Sequence, residues 1–342
     1  MDISNHMVVA GPCAAESREQ VLETAQAVAA AGIKIFRAGL WKPRTKPGEF
    51  DGVGTAGLEW LSEARSLYGL KIATEVASTE HLEAVLKAGV DYIWLGARTV
   101  TNPFAVQTLA DALKGVKVSV MVKNPINPDV KLWLGAIERI ENAGIESVTA
   151  IHRGFSSYEQ HTYRNNPLWS IPIELKRKRP SIPLLCDPSH ISGRKELVAP
   201  LCQQALELNY DGFFIEVHCH PECALTDARQ QVLPSELVSI LSNLDVKSNK
   251  NLSQNVTFYR DKIDEIDRRI LELLSERMEI SQEIGKVKKQ SNAPLFQGDR
   301  YNKMLEDRIE IGKKLGLSGK FVEQIVRKVH EESLKKQLEL NE

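Results

Sequence analysis

KIATEVASTEHLEAVLKAGVDYIWLGAR, residues 71 to 98, holds the pattern that decides the fold. Two short apolar runs, KIATEV and YIWLGA, flank an amphipathic segment, the signature of a strand, a helix and a second strand parallel to the first. The texture continues outward in both directions. Toward the N-terminus lie MVVAGPC and IKIFRAG, and toward the C-terminus KVSVMVKN, SVTAIHRG, PLLCDPS and GFFIEVH. Eight such runs at spacings of roughly 20 to 40 residues predict an α/β fold, a (β/α)8 barrel over residues 1–242. A doubly wound sheet is the alternative, but no glycine-rich fingerprint follows the first run.

Residues 243–256 are polar and rich in Ser and Asn, as a linker is. Beyond them the texture changes. Residues 257–342 read as successive helices, predicting an all-α three-helix domain. A formal net charge of −1 gives no general reason for nucleic-acid or membrane partners. The basic run KRKRP at 176–180 reads as a solvated helix end. No apolar run approaches the roughly 18 residues that span a bilayer. The first residues lack the basic lead-in of a signal peptide, so the cytoplasm is the expected location. Five cysteines, an odd number, read as reduced thiols or metal ligands rather than disulfides.

Chemistry in a barrel sits where strands end and loops begin. After the eight runs come Cys13; Arg37 with Lys42, Arg44 and Thr45; Glu75; Arg98; Lys123; His152 with Arg153; Asp187 with His190; and Glu216 with His218. The cations Arg37, Lys42, Arg44, Arg98, Lys123 and Arg153 would repel one another in a shared cleft unless they bind anions, and phosphate and carboxylate suit the guanidinium fork. Cys13, His190, Glu216 and Asp227 mix soft, borderline and hard donors. That set favours a divalent transition ion, manganese, iron, cobalt or zinc, over magnesium or calcium. His218, Cys219, His220 and Cys223 form a competing cluster that lacks the paired spacing of structural zinc sites.

GPCAAES, FRAGLWKPRT, GAR, VKN, HRG, DPSH and IEVH…ALTD, in this order, resemble the motifs of the short metal-dependent 3-deoxy-D-arabino-heptulosonate-7-phosphate (DAHP) synthases. The resemblance covers residues 7 to 242. It implies Cys13, His190, Glu216 and Asp227 as ligands of the ion, with manganese the first choice. It implies Arg37, Lys42, Ala97, Arg98, Lys123 and Arg153 around phosphoenolpyruvate, and Pro43, Arg44 and Thr45 around erythrose 4-phosphate. Glu75 is the candidate to orient the attacking water. The related 3-deoxy-D-manno-octulosonate-8-phosphate synthases read Lys-Ala-Asn-Arg-Ser where this chain has Lys-Pro-Arg-Thr, which favours the four-carbon sugar.

In the tail, Ile263, Ile266, Ile270, Leu273, Ile280, Ile284 and Val287 recur at helical steps and read as a core-facing stripe, with Arg277 and Lys288 nearly in phase with it. Val322, Ile325, Val326 and Val329 form a second apolar face, and the row from Ile325 continues to Ser333 and Gln337. Arg300 is expected just before the middle helix. Charges entering a helical core predict a buried anionic ligand. The tail resembles the all-helical chorismate mutases, with Arg260, Arg277, Lys288, Arg300, Ser333 and Gln337 at that family's site positions. The resemblance implies rearrangement of chorismate to prephenate in a homodimer joined through these helices, with Arg260 supplied by the other subunit. Tyr301 departs from the family, which has a Glu there to bind the substrate hydroxyl. The alternative is a tail that senses chorismate or prephenate and regulates the barrel. Because the barrel begins almost at residue 1, any feedback control is expected to run through the tail.

Overall fold

The computed structural model describes residues 6–42, 48–157, 162–245 and 254–339. The chain divides into two compact units, Met1–Lys247 and Ser248–Glu342.

In the first unit, eight strands close into a barrel in sequence order: β1 (Met7–Gly11), β2 (Ile35–Arg37), β3 (Lys71–Val76), β4 (Tyr92–Leu95), β5 (Ser119–Lys123), β6 (Val148–His152), β7 (Leu184–Cys186) and β8 (Gly212–Glu216). Every pairing is parallel, and β1 closes on β8 with Val9 opposite Phe214 and Gly11 opposite Glu216. Closure excludes the doubly wound sheet. All eight runs read from the sequence are these strands. A major helix follows each, for instance Arg18–Ala30 after β1 and Thr79–Lys87 after β3, each begun by a Ser whose side chain accepts an N–H of the first turn.

Successive strand residues face opposite sides of a sheet, and that alternation builds two cores. Outward residues such as Phe36, Ile72, Ile93, Val120 and Phe213 pack under the helices. Inward, each strand gives one residue to a plug: Val9, Ile35, Ala73, Trp94, Met121, Ile151, Leu185 and Phe214. The helix Ser170–Lys178 ends in the basic run, where Arg177 pairs with Glu174 and Lys176 with Asp211.

The second unit holds three helices, Gln254–Gln290, Gly298–Lys314 and Gly319–Leu338. Gly312 lies where the middle helix meets the last, and a Cβ there would fall 2.3 Å from Val322 Cγ2. Two expectations need correction. Arg300 lies inside the middle helix rather than before it. The first half of the apolar stripe does not face this unit's core: Ile263, Ile266, Ile270 and Leu273 are about half exposed or more, while Ile280 and Ile284 line the space between the helices. Among the described residues, Ser281 and Gly285 are the buried positions of that helix, one face round from the stripe. Ile325 is likewise exposed, whereas Val322, Ser333 and Gln337 are buried.

Candidate active sites

Two positions beyond each plug residue the strands deliver Gly11, Arg37, Glu75, Gly96, Lys123, Arg153, Asp187 and Glu216 to the C-terminal mouth. Trp94 and Phe214 form the floor. The Arg37 guanidinium lies 5.1 and 4.3 Å from their ring centres, and Lys123 Nζ lies 5.9 and 5.0 Å away, so both cations rest on aromatic faces. Arg37 donates to Glu216 Oε1 at 3.1 Å, while its Nε and Nη1 are buried and unpartnered among the described residues. Lys123 donates to Asp187 Oδ2 at 3.1 Å. Glu75 Oε2 accepts from Trp94 Nε1 at 2.8 Å, and Gly96 makes room for that carboxylate, since a Cβ there would lie 2.2 Å from Glu75 Oε1.

Above this floor is a cavity of 520 Å³, lined among others by Lys42, Glu75, Ala97, Arg98, Lys123, Arg153, His190 and Asp227. Burial works against the Lys42 ammonium, but Cys13, Glu75 and Glu216 outweigh it and hold its pKa above the ordinary lysine value. Burial pulls Arg153 down to about 10, and Arg164 and Arg98 add to the effect. Cations crowded into a desolvated cavity are stabilised by a bound anion.

Cys13 stands two residues past β1. Its Sγ lies 3.4 Å from Asp227 Oδ2, and donor atoms of Cys13, Glu216 and Asp227 all fall within 4.8 Å of one another. His190 faces the same group with Nε2 3.7 Å from Glu216 Oε1, its Nδ1 lying 2.8 Å from Asp187 Oδ2. A carboxylate behind the imidazole in this way orients a metal-binding histidine. Burial pushes the Cys13 thiol up to about 12, with Glu216 and then Asp227 adding to the rise. The Lys42 and Arg37 cations offset only part of that rise, and a divalent cation at this point would deprotonate the sulfur. The donor set fits a transition ion. Asp227 holds a left-handed backbone, φ +48°, one of the few conformations that Asp tolerates better than most residues.

The sequence reading missed the supports of this site. Arg164 donates to Asp227 Oδ1 and Gln230 Oε1, both at 2.8 Å. Gln230 donates to Glu216 Oε2 at 2.7 Å, and Gln231 accepts from the Cys13 N–H at 3.0 Å. These residues sit in loops without a motif, so only the Asp227 neighbourhood hinted at the two glutamines. His152 is a correction. The sequence predicts it at the mouth beside Arg153, but it faces outward among Trp133, Phe155, Trp169 and Tyr210. The competing cluster is rearranged too. Cys219 and His220 approach Glu23, with His220 and Glu23 largely exposed, whereas His218 turns to Glu16 at 3.6 Å. Pro43, Arg44 and Thr45 lie outside the described residues.

In the tail, a pocket of 240 Å³ between the three helices is lined by Arg277, Lys288, Arg300, Ser333 and Gln337 together with Ser281, Gln297, Tyr301 and His330. Arg277 donates to Ser333 Oγ, and burial with the nearby Arg308 cation lowers its pKa. Lys288 donates to the Leu295 carbonyl. Gln337 donates to Ser281 Oγ at 2.8 Å, leaving its buried Oε1 unpartnered. An amide turned over would exchange those roles and present its NH2 to the pocket. Arg260 is not in this pocket. It stands 17 residues before Arg277 on the same helix, about 26 Å along the axis.

A parallel eight-stranded barrel whose mouth joins a cationic cavity to a thiol, imidazole and carboxylate cluster defines a class: barrel enzymes that handle anionic substrates beside a divalent ion. The chain belongs to the DAHP synthetase I family, whose model matches residues 4–252, and the model of chorismate mutase type II matches residues 259–338. The DAHP synthetase family is metal-dependent. The phospho-2-dehydro-3-deoxyheptonate aldolase of Thermotoga maritima is 34% identical over 249 residues, 71% of this chain and 72% of that protein. A 2-dehydro-3-deoxyphosphooctonate aldolase of Caulobacter vibrioides is more distant, 27% identical over 256 residues, 69% of this chain and 85% of its own. Among solved structures, the Thermotoga maritima DAHP synthase superposes with a TM-score of 0.63 at 32% identity, covering 69% of this chain and 67% of that one. Its truncated form gives 0.61 at 32% identity, covering 69% and 84%.

Proposed function

We propose that this chain is a bifunctional enzyme of aromatic biosynthesis, a synthase barrel joined to a mutase tail. The barrel condenses phosphoenolpyruvate with erythrose 4-phosphate to give DAHP and phosphate, and the tail rearranges chorismate. We place the synthase in residues 1–242 and the mutase in 257–342, with 243–256 as the linker.

The observation that carries the reading is the convergence of cations and ligand-type donors at one barrel mouth. Arg37, with two unpartnered N–H groups, joins Lys42, Arg98, Lys123 and Arg153 in holding the phosphate and carboxylate of phosphoenolpyruvate, beside Ala97. Pro43, Arg44 and Thr45 take the sugar phosphate. Cys13, His190, Glu216 and Asp227 would hold the divalent ion, manganese by preference. When bound, that ion supplies Lewis-acid polarisation of the sugar aldehyde. The cations fix C3 of phosphoenolpyruvate against the aldehyde carbon, which turns a bimolecular attack into a nearly unimolecular one. Glu75, anchored on Trp94, orients the water that adds at C2 before phosphate leaves.

In the tail, Arg277, Arg300 and Ser333 hold the two carboxylates of chorismate. Lys288 and the turned amide of Gln337 donate to the ether oxygen as negative charge grows there, stabilising the transition state. Arg260, too far along its helix to reach the pocket of its own chain, serves the pocket of a second copy. The uncovered isoleucine stripe supplies the surface for that homodimer. Prephenate, as product, is the proposed feedback signal, acting through the tail, and the cytoplasm is the proposed location.

The test assays purified protein with manganese, offering erythrose 4-phosphate and arabinose 5-phosphate in parallel and following chorismate loss separately. Faster condensation of the four-carbon sugar, and chorismate turnover that Lys288→Ala lowers at least about 100-fold, support the reading. Preference for the five-carbon sugar, or a wild type inert toward chorismate, refutes the corresponding half.

A further inference from the structure

The tail pocket contains a titratable residue to which the mutase reading gives no work. His330 stands three residues before Ser333 and seven before Gln337, on the same face of the last helix, and it lines the same pocket. Its Nε2 is buried and unpartnered among the described residues. The ring is held by Tyr301, whose centroid lies 4.5 Å away at 38°, and by Phe296 at 6.2 Å. A ring held by two aromatic neighbours, on the wall of a cavity and with one buried nitrogen unpartnered, is positioned to meet a ligand.

A donor and acceptor count says what it would meet. Arg277, Lys288 and Arg300 are donors only, and Ser333 and the amide of Gln337 also donate in the reading above, while Ser281, which already accepts from Gln337, and Gln297 can accept as well as donate. Chorismate brings two carboxylates and an ether oxygen, all acceptors, plus one hydroxyl whose proton needs an acceptor in return. Tyr301 stands where a carboxylate would have served. Its oxygen already receives Arg327 Nη1 at 3.4 Å. We propose that His330 is a substrate-binding residue of the tail, its Nε2 lone pair accepting the hydrogen bond of the ligand's ring hydroxyl while Tyr301 holds the imidazole in place.

The charges around the ring agree. Burial lowers its pKa, and Arg277 and Lys288 on the first tail helix lower it further. Arg300 and Tyr301 on the middle helix share the pocket, and Arg327 on the histidine's own helix meets the Tyr301 hydroxyl. The ring is therefore neutral at pH 7, and a neutral imidazole with its proton on Nδ1 leaves the unpartnered Nε2 as an acceptor.

This inference rests on the mutase reading, and the experiment separates the two. The full-length protein is assayed with chorismate and with a chorismate lacking the ring hydroxyl, as wild type, His330→Leu and His330→Gln. His330→Leu is expected to lower kcat/KM for chorismate about 10-fold, the worth of one buried hydrogen bond, and to leave the deoxy compound within about twofold. His330→Gln, which keeps an acceptor, should recover most of the loss. In wild type the ratio of chorismate to deoxy turnover should fall as pH drops below the ordinary histidine range and the imidazole takes up a proton, and this measurement decides the matter should the Leu variant not fold. A pH-independent ratio in wild type, or equal losses on both compounds in a folded His330→Leu protein, overturns the proposal. A wild type inert toward both compounds overturns the mutase reading instead.

Discussion

His152 and Arg153 are neighbours in sequence, and strand alternation sends them to opposite sides of the barrel wall. Arg153 enters the cavity, whereas His152 sits fully buried between the sheet and its helices. Its Nε2 lies 2.7 Å from the Pro167 carbonyl and its Nδ1 lies 2.9 Å from the Tyr210 hydroxyl. A carbonyl only accepts, so Nε2 carries the proton and Nδ1 accepts from Tyr210. Burial first, and then the Arg153 cation, lowers its pKa to about 3. Between pH 6.5 and 3 the unfolded chain binds a proton that the folded chain refuses. Stability is therefore full above pH 6.5 and falls as pH drops, by up to about 5 kcal/mol from this one group. Denaturant melts of the full protein and of His152→Gln, run from pH 7 to 4, should show a steeper acid loss for wild type, and parallel curves would contradict the assignment. The strand-end residues were legible as a set, but which of two neighbours enters the mouth depends on alternation, which the motifs do not mark. Arg164, Gln230 and Gln231 were illegible for a related reason: long-range contacts recruit them, and no local pattern records that.

A period of 3.6 residues marks an apolar stripe on a helix without saying what covers it. The Gln254–Gln290 helix shows the difference. Its isoleucine row reads as core-facing, yet the last helix packs beside the row through Ser281, which meets Ser333 and Gln337. Ile280 and Ile284 line the pocket, whereas Ile263, Ile266, Ile270 and Leu273 stay uncovered within the unit, as they would if a second copy covered them. Ile266→Glu tests this directly. It should weaken self-association roughly 30-fold or more, the size of a single interface hot spot, and cut chorismate turnover in step, with the condensation unaffected. A variant that sediments as wild type with full mutase activity would refute the shared interface. Elements buried within their own chain, the eight strands above all, were legible to within a residue or two. The long helix was not, because periodicity marks an apolar face without marking what lies against it.

At the scale of the whole chain, the change of texture near residue 243 lies close to the division into two compact units at Lys247. The matching family models, residues 4–252 and 259–338, fall on either side of the same region. Two centres on one chain invite control of one by the ligand of the other. Prephenate should slow condensation by the full chain several-fold more than condensation by residues 1–243 alone, and equal inhibition of both would end that proposal. The central claim is that Cys13, His190, Glu216 and Asp227 gather to hold an ion that only the barrel's chemistry needs. The decisive measurement strips the full-length protein of metal with a chelator and assays both reactions before and after manganese is restored. Condensation should vanish and return with one equivalent of ion per chain, while chorismate rearrangement stays constant. Undiminished condensation in the metal-free protein would contradict the account.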